Sequence, residues 1–236
     1  MNSEKLSKRL ETVAKYIPIG SKLADIGSDH AYLPCHMVQN GLIPFAIAGE
    51  VVEGPFQSAK GQVVQLGLDE KISVRLGDGL AVIEQGEVDC ITIAGMGGSL
   101  IASILEQGKA KLGQVTRLVL QPNISAISVR EWLLENGWGL TAEEILEEDG
   151  KIYEILVAEQ GDEKAAYQTN LEKGLLLGPY LIKDKDYIFQ KKWSMEKENW
   201  LKILNQLEKA SNTVENNEKK QELQKKIQLV EEVLEK

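Results

Sequence analysis

Leu23-Ala24-Asp25-Ile26-Gly27-Ser28-Asp29-His30-Ala31-Tyr32-Leu33-Pro34 is the stretch whose reading decides the fold of this 236-residue chain. Leu23 to Ile26 reads as a short buried strand. Gly27 lets the backbone turn sharply, and Ser28 or Asp29 is placed to cap a helix beginning near Tyr32. A strand, a glycine turn and a helix start together make a cradle for a nucleotide-type cofactor. The alternative is a strand-turn-helix that only packs, with Asp29 as a helix cap.

The dinucleotide fingerprint G-x-G-x-x-G is absent, and Asp25 and Asp29 stand where a diphosphate would sit and would repel it. A cofactor with positive charge and no phosphate fits better. S-adenosylmethionine, with its sulfonium and amino groups, is such a ligand.

Working outward, the spacing of Leu6, Leu10, Val13, Ala14 and Ile17 predicts a helix over Ser3 to Ile17, ended by Pro18 and Gly20. After the first strand (Lys22 to Ile26) comes a helix from Tyr32 to Asn40. A second strand over Phe45 to Glu50 follows, then a helix over Phe56 to Leu66 with Pro55 at its start. A third strand spans Ile72 to Leu76 and turns at Gly77-Asp78-Gly79. The fourth strand covers Val88 to Ile93, and Gly95-Met96-Gly97-Gly98 opens a helix over Ser99 to Gln107. The fifth, Arg117 to Gln121, is broken by Pro122-Asn123, with a helix over Ile127 to Glu135. Trp138 to Leu146 and Lys151 to Glu159 form a hairpin around Glu147-Glu148-Asp149-Gly150.

This alternation predicts a parallel α/β sheet with helices on both faces, closed by a hairpin that adds one antiparallel strand. It is the seven-stranded, Rossmann-like class I methyltransferase pattern. The expected domains are a methyltransferase domain over 1–160 and a helical, coiled-coil-like arm over 161–236. Glu196 to Lys236 contains no Gly or Pro, and its polar middle, Asn212 to Gln221, predicts a bend between two antiparallel helices. Their charge predicts a protruding arm with no globular core.

Composition bounds the function. Apolar residues make up 43% and charged residues 27%, as in an ordinary soluble protein. No apolar run reaches membrane-spanning length, and the polar Met1 to Glu11 does not read as a signal peptide. Cys35 and Cys90 lie in apolar segments, which argues against a disulfide and for the cytoplasm. The net charge of −9 falls within residues 1–159, against indiscriminate nucleic-acid binding. Local basic clusters remain at Lys5, Lys8, Arg9 and Lys15, and at Lys183, Lys185, Lys191 and Lys192; each alternatively reads as a solvated helix face.

A doubly wound sheet binds its ligand at the C-terminal strand ends. The residues there give the candidate cofactor set: Asp25, Gly27, Ser28, His30, Glu50, Val51, Asp78, Gly79, Ala94, Gly95 and Met96. Glu50 is placed to accept from both ribose hydroxyls, and Asp78 from the adenine amino group; the plain alternatives are a strand-end acid and an Asp-Gly turn. Gln121 and Asn123 are amides suited to a base edge. His30, Cys35 and His36 lack a zinc spacing, so no metal is expected.

Asp25 to Pro34, Gly54-Pro55-Phe56-Gln57-Ser58-Ala59, Gly77-Asp78-Gly79-Leu80, Ile93 to Gly98, Leu120 to Asn123 and Glu148-Asp149-Gly150-Lys151-Ile152-Tyr153-Glu154 resemble the bacterial tRNA (adenine-22-N1)-methyltransferase family. The resemblance extends to Gly178-Pro179 and Lys192-Trp193. It implies methyl transfer from S-adenosylmethionine to N1 of adenine 22 in tRNA, with the C-terminal arm holding the tRNA. Asp29, Tyr32, Gln121 and Asn123 are the candidate catalytic residues, Asp29 to stabilise the cationic product, with cofactor binding as its competing assignment, and Tyr32 to stack on the base. Partner expectations are tRNA, no membrane and no metal, with a monomer as the default. A small-molecule methyltransferase and a non-catalytic tRNA binder are the rival readings.

Overall fold

The computed structural model describes residues 5–167, 170–209 and 213–235. It divides into two compact units, one ending at Ala166 and one beginning at Tyr167.

The first unit is built on seven strands: β1 (Lys22–Ile26), β2 (Phe45–Glu50), β3 (Ile72–Leu76), β4 (Cys90–Gly97), β5 (Arg117–Ile124), β6 (Trp138–Glu148) and β7 (Lys151–Gln160). Their order in the sheet is β3-β2-β1-β4-β5-β7-β6. β1 to β5 pair in parallel, and β7 inserts antiparallel between β5 and β6. The β6–β7 turn carries Asp149 and Gly150, both at positive φ, as a tight hairpin requires.

The helices of this unit are α1 (Lys8–Lys15), α2 (Tyr32–Gln39), α3 (Glu53–Gln65), α4 (Gly98–Gln107) and α5 (Ala126–Glu135). Side chains of a strand alternate between faces. Leu23, Ala46, Ala48, Cys90, Val119 and Val157 accordingly face α1, α2 and α3 through Val13, Leu33, Met37 and Val63 in one buried cluster. α4 and α5 pack on β4, β5 and β6, where Ile91, Ile93, Leu118 and Leu120 are buried. Fully buried Arg130 of α5 bridges Glu143 of β6 and Glu154 of β7, each at 2.6 Å.

Several boundaries differ from the sequence reading, each for a local reason. Helix α1 begins at Lys8 because the Ser7 hydroxyl accepts from the Leu10 amide; Ser3 lies outside the described residues. A 3-10 turn, Gly79–Val82, joins β3 to the segment before β4. Helix α3 starts at Glu53, so Pro55 falls in its first turn, where a missing N–H costs nothing. Strand β4 runs on through the glycines to Gly97, and β5 continues through Pro122 to Ile124. Pro122 does not break its strand because β4 bulges opposite it, between Ala94 and Met96, where a residue without an amide hydrogen is tolerated.

The second unit contains α6 (Leu171–Leu177), α7 (Leu181–Asp184), α8 (Tyr187–Glu208) and α9 (Val214–Leu234). Asn170, Asp186 and Thr213 cap α6, α8 and α9 through their side chains. The expected absence of a core is corrected here: Leu177, Leu181, Phe189, Trp193, Ile227 and Val230 are buried. Lys173–Glu232 at 2.7 Å and Lys225–Glu172 at 2.5 Å tie α6 to α9, and Lys197–Glu231 at 3.6 Å joins α8 to α9. The expected polar bend also moves. Asn216 to Gln221 are helical, since Lys, Glu and Gln are good helix formers; Ser211 and Asn212 lie outside the described residues. No helix among the described residues is long and apolar enough to cross a membrane.

Candidate active site

The loop after β1 is wound unusually tightly. Gly27 has φ +70°, and Asp29, His30 and Ala31 follow at +42°, +63° and +54°. A left-handed conformation costs a residue with a side chain about 1–2 kcal/mol, so three in succession persist only when their surroundings hold them. The Gly27 and Ser28 amides both donate to the Gly49 carbonyl, at 2.9 and 3.2 Å. The Asp29 amide donates to Glu50 Oε1 at 2.5 Å. The expected cap of α2 is therefore not made. Ala31 occupies the N-cap with no side-chain bond, because Ser28 is turned inward to Asp25.

Asp25 is buried, and its two oxygens accept from the Ser28 and Thr92 hydroxyls, each at 2.6 Å. Burial pushes its carboxyl above the usual carboxylate range, against the pull of the two hydroxyls and of Arg9. Glu50 is raised as well, by burial first; the Asp29 amide opposes this, and the negative charges of Asp25 and Asp29 reinforce it. The Asp29 side chain is 74% exposed and lies 3.5 Å from the His30 ring. His30 in turn stacks on Tyr32, with ring centroids 5.2 Å apart.

At the ends of β4 and β5 the polar groups interlock. Gly95, at φ +82°, sits in the bulge. Its amide donates to Gln121 Oε1 at 2.9 Å, and its carbonyl accepts from Asn123 Nδ2 at 2.7 Å. Gln121 Nε2 donates to Asn123 Oδ1 at 3.1 Å, and Arg9 Nη1 donates to Gln121 Oε1 at 2.5 Å. The Arg9 guanidinium also lies 5.5 Å from the centre of the Tyr153 ring.

These elements enclose a cavity of about 270 Å³ lined by Arg9, Leu10, Asp25, Gly27, Ser28, Asp29, Leu33, Ala94, Gly95, Met96, Asn123 and Tyr153. The structure thus brings together Asp25, Gly27, Ser28, Asp29, Ala94, Gly95, Met96 and Asn123 from the sequence reading. Glu50 sits behind the wall, bonded to Asp29. Val51 is exposed, and His30 and Tyr32 stand beside the cavity as a stacked pair. Asp78 and Gly79 line a separate hollow of about 280 Å³ with Leu80, Ala81, Ile104, Gln107, Gly108 and Lys111. Gln121 is corrected: at 0% exposure, with its amide bonded at both ends, it holds Arg9, Gly95 and Asn123 in place and has no edge to offer a base. The sequence does not single out Arg9, Thr92 or Tyr153 as site residues; Arg9 is visible there only as one of several basic residues on the first helix.

The cavity fits the phosphate-free, cationic cofactor expected. Two acids face it, and Gly27 leaves so little room that an added Cβ would meet the Met96 methyl at 2.2 Å. A sheet of this order, with an acid-rich cavity at the carboxyl ends of β1, β4 and β5, defines a Rossmann-like methyltransferase of the S-adenosylmethionine-dependent class. Among the described residues no group of three or more His, Cys, Asp or Glu is placed to hold a metal ion.

Comparison with known proteins gives the family. The tRNA (adenine(22)-N(1))-methyltransferase family matches residues 23–232, and the chain belongs to it. The tRNA (adenine(22)-N(1))-methyltransferase of Bacillus subtilis is 56% identical over 235 residues, covering 99% of both chains. The crystal structure of the B. subtilis M1A22 tRNA methyltransferase superposes with a TM-score of 0.94 at 55% identity, covering 98% of this chain and 99% of the other. A Streptococcus pneumoniae protein solved in complex with S-adenosyl-L-methionine superposes with a TM-score of 0.86 at 48% identity, covering 98% and 100%.

Proposed function

We propose that this chain transfers a methyl group from S-adenosylmethionine to N1 of adenine 22 in tRNA. The observation that carries the reading is the convergence of Asp25, Asp29 and Asn123 on one cavity at the strand ends, in a chain of this family. The cofactor supplies an electrophilic methyl group on a sulfonium.

Adenine N1 has an in-plane lone pair and is unprotonated at neutral pH, so the chain needs no strong general base. What it must do is align and neutralise. Asp25, fixed by Ser28 and Thr92, and the glycine turn at Gly27 form the cofactor side of the cavity. Glu50 and Val51, at the end of β2, and Asp78 and Gly79, after β3, are assigned to the nucleoside part. Asn123, fixed by Gly95 and Gln121, is the amide available to the Watson–Crick edge of the base. Tyr32, backed by His30, offers a face on which an unstacked adenine rests. Asp29, charged and solvent-facing, stabilises the positive charge that develops on the base. Alignment alone is worth several kcal/mol of barrier.

The reading takes the enzyme to be a monomer of the cytoplasm. Two buried free cysteines support that compartment. Burial pushes the Cys35 thiol up to about 11 and the Cys90 thiol up to about 12, so neither is a nucleophile near neutral pH.

The test is transfer of label from radioactive S-adenosylmethionine into unmodified tRNA transcripts with adenine or guanine at position 22. Label confined to the adenine transcript is the expected result. Label in neither transcript, with cofactor still bound, overturns the tRNA reading in favour of a small-molecule acceptor.

A further inference from the structure

Exposed apolar side chains of the first unit gather at one edge of its sheet. Among the described residues, Val51 and Val52 follow β2, Leu76 ends β3, Leu100 lies in the first turn of α4 and Ile124 ends β5, each half exposed or more. Isolated exposed aliphatics are ordinary, whereas a set along the edge where a cavity opens marks a contact surface.

Ile124 is the most exposed of the five, at 71%, and its place is firmly fixed. It pairs with Gly97 across β4 and β5, one residue beyond Asn123 of the cavity wall. Its side chain lies over Gly97, where an added Cβ would stand 3.8 Å from Ile124 Cγ1. The backbone behind it is closed, since a Cβ on Gly98 would meet the Ile124 and Ser125 carbonyl oxygens at 3.1 and 2.0 Å. Ser125 then turns the chain left-handed, at φ +56°. A β-branched side chain with few rotamers, on backbone that cannot yield, is a fixed apolar projection.

Charge selects what can meet it. Asp25 and Asp29 line the cavity, and the chain's negative excess lies in this unit, so phosphates are repelled near the opening. The faces of unstacked bases are the neutral, apolar surface that an RNA can offer there. Adenine must leave its stack for N1 to reach a methyl group held in a cavity, and its neighbour is then uncovered. We propose that Ile124 packs on the base beside adenine 22, filling the place that the target vacates. The inference rests on the tRNA reading given above.

Two measurements on the full chain test this: methyl transfer to the adenine-22 transcript, and fluorescence of a transcript with 2-aminopurine at position 22. Binding of the wild-type chain should brighten the 2-aminopurine, which reports loss of stacking, and Ile124→Ala should lose most of that rise. Its kcat/KM on tRNA should fall by about 10-fold, the effect of one lost apolar side chain of this size, with S-adenosylhomocysteine affinity and thermal melting unchanged. Ile124→Leu should keep most of the activity. Unchanged turnover and fluorescence in Ile124→Ala would overturn the proposal. Tighter tRNA binding by Ile124→Lys, with a steeper salt dependence and turnover kept, would overturn it in favour of a phosphate contact. An equal loss of S-adenosylhomocysteine affinity in Ile124→Ala would make Ile124 part of the cofactor wall and overturn it as well. Failure of the wild-type chain to methylate the adenine transcript, with cofactor bound, would instead sink the tRNA reading itself and the role of Ile124 with it.

Discussion

The Asp29 amide and the Glu50 carboxylate meet at 2.5 Å, joining the loop after β1 to the end of β2. This bond holds the first of three successive left-handed residues, and through it a buried acid shapes a cavity that it does not line. Glu50→Ala would leave the half-buried amide unsatisfied. A loss of about 1–3 kcal/mol is expected in urea unfolding, together with weaker binding of S-adenosylhomocysteine. Unchanged stability and affinity would show that the loop holds itself.

Asp25 gives a pH dependence of defined sign. Its folded carboxyl titrates above the ordinary value of 3.8, so burial penalises the ionised form. Its contribution to stability is present below that value and is lost as pH rises through the folded one. Asp25→Asn removes the titration. Its stability relative to wild type should therefore rise between pH 4 and pH 7, even as ligand binding is lost. Unfolding curves across that range would show a constant difference if Asp25 were not penalised.

Asp29 separates charge from conformation. Asn tolerates φ +42° as well as Asp does, so Asp29→Asn removes the charge and spares the turn. Turnover on tRNA should fall by about 10²-fold, the scale of a lost electrostatic contact in the transition state, with cofactor affinity changed much less. Equal losses in both would move Asp29 to the cofactor side.

Gly27 and Gly98 are both closed to a side chain, with different outcomes expected. A Cβ at Gly27 meets the flexible Met96 methyl at 2.2 Å, whereas one at Gly98 meets the Ser125 carbonyl oxygen at 2.0 Å. Gly27→Ala should be destabilised and lose ligand binding, and Met96→Ala in the same chain should recover part of the stability. The residue of about 1–2 kcal/mol reflects φ +70°. Gly98→Ala meets backbone, and no single truncation should rescue its thermal melting.

The order of strands and helices, the strand ends that form the site and the acid-rich, phosphate-averse turn after β1 were determined by the sequence alone. Those features depend on local properties: the period of apolar residues, the conformational freedom of Gly27 and the charge of Asp25 and Asp29. Tertiary structure decided the rest. Nothing near residue 9 reveals that its guanidinium meets Gln121, 112 positions away, because the contact exists only once α1 is docked on the hairpin by Glu148. Pro122 reads locally as a strand breaker and is carried through by a bulge on a neighbouring strand. Ser28 reads as a helix cap and turns to Asp25 instead, since a buried carboxyl group is costly to leave without hydrogen-bond partners. The apolar stripe of α9 is buried in its second half, from Leu223 to Val233, and only packing could set that limit along a helix with no local stop signal.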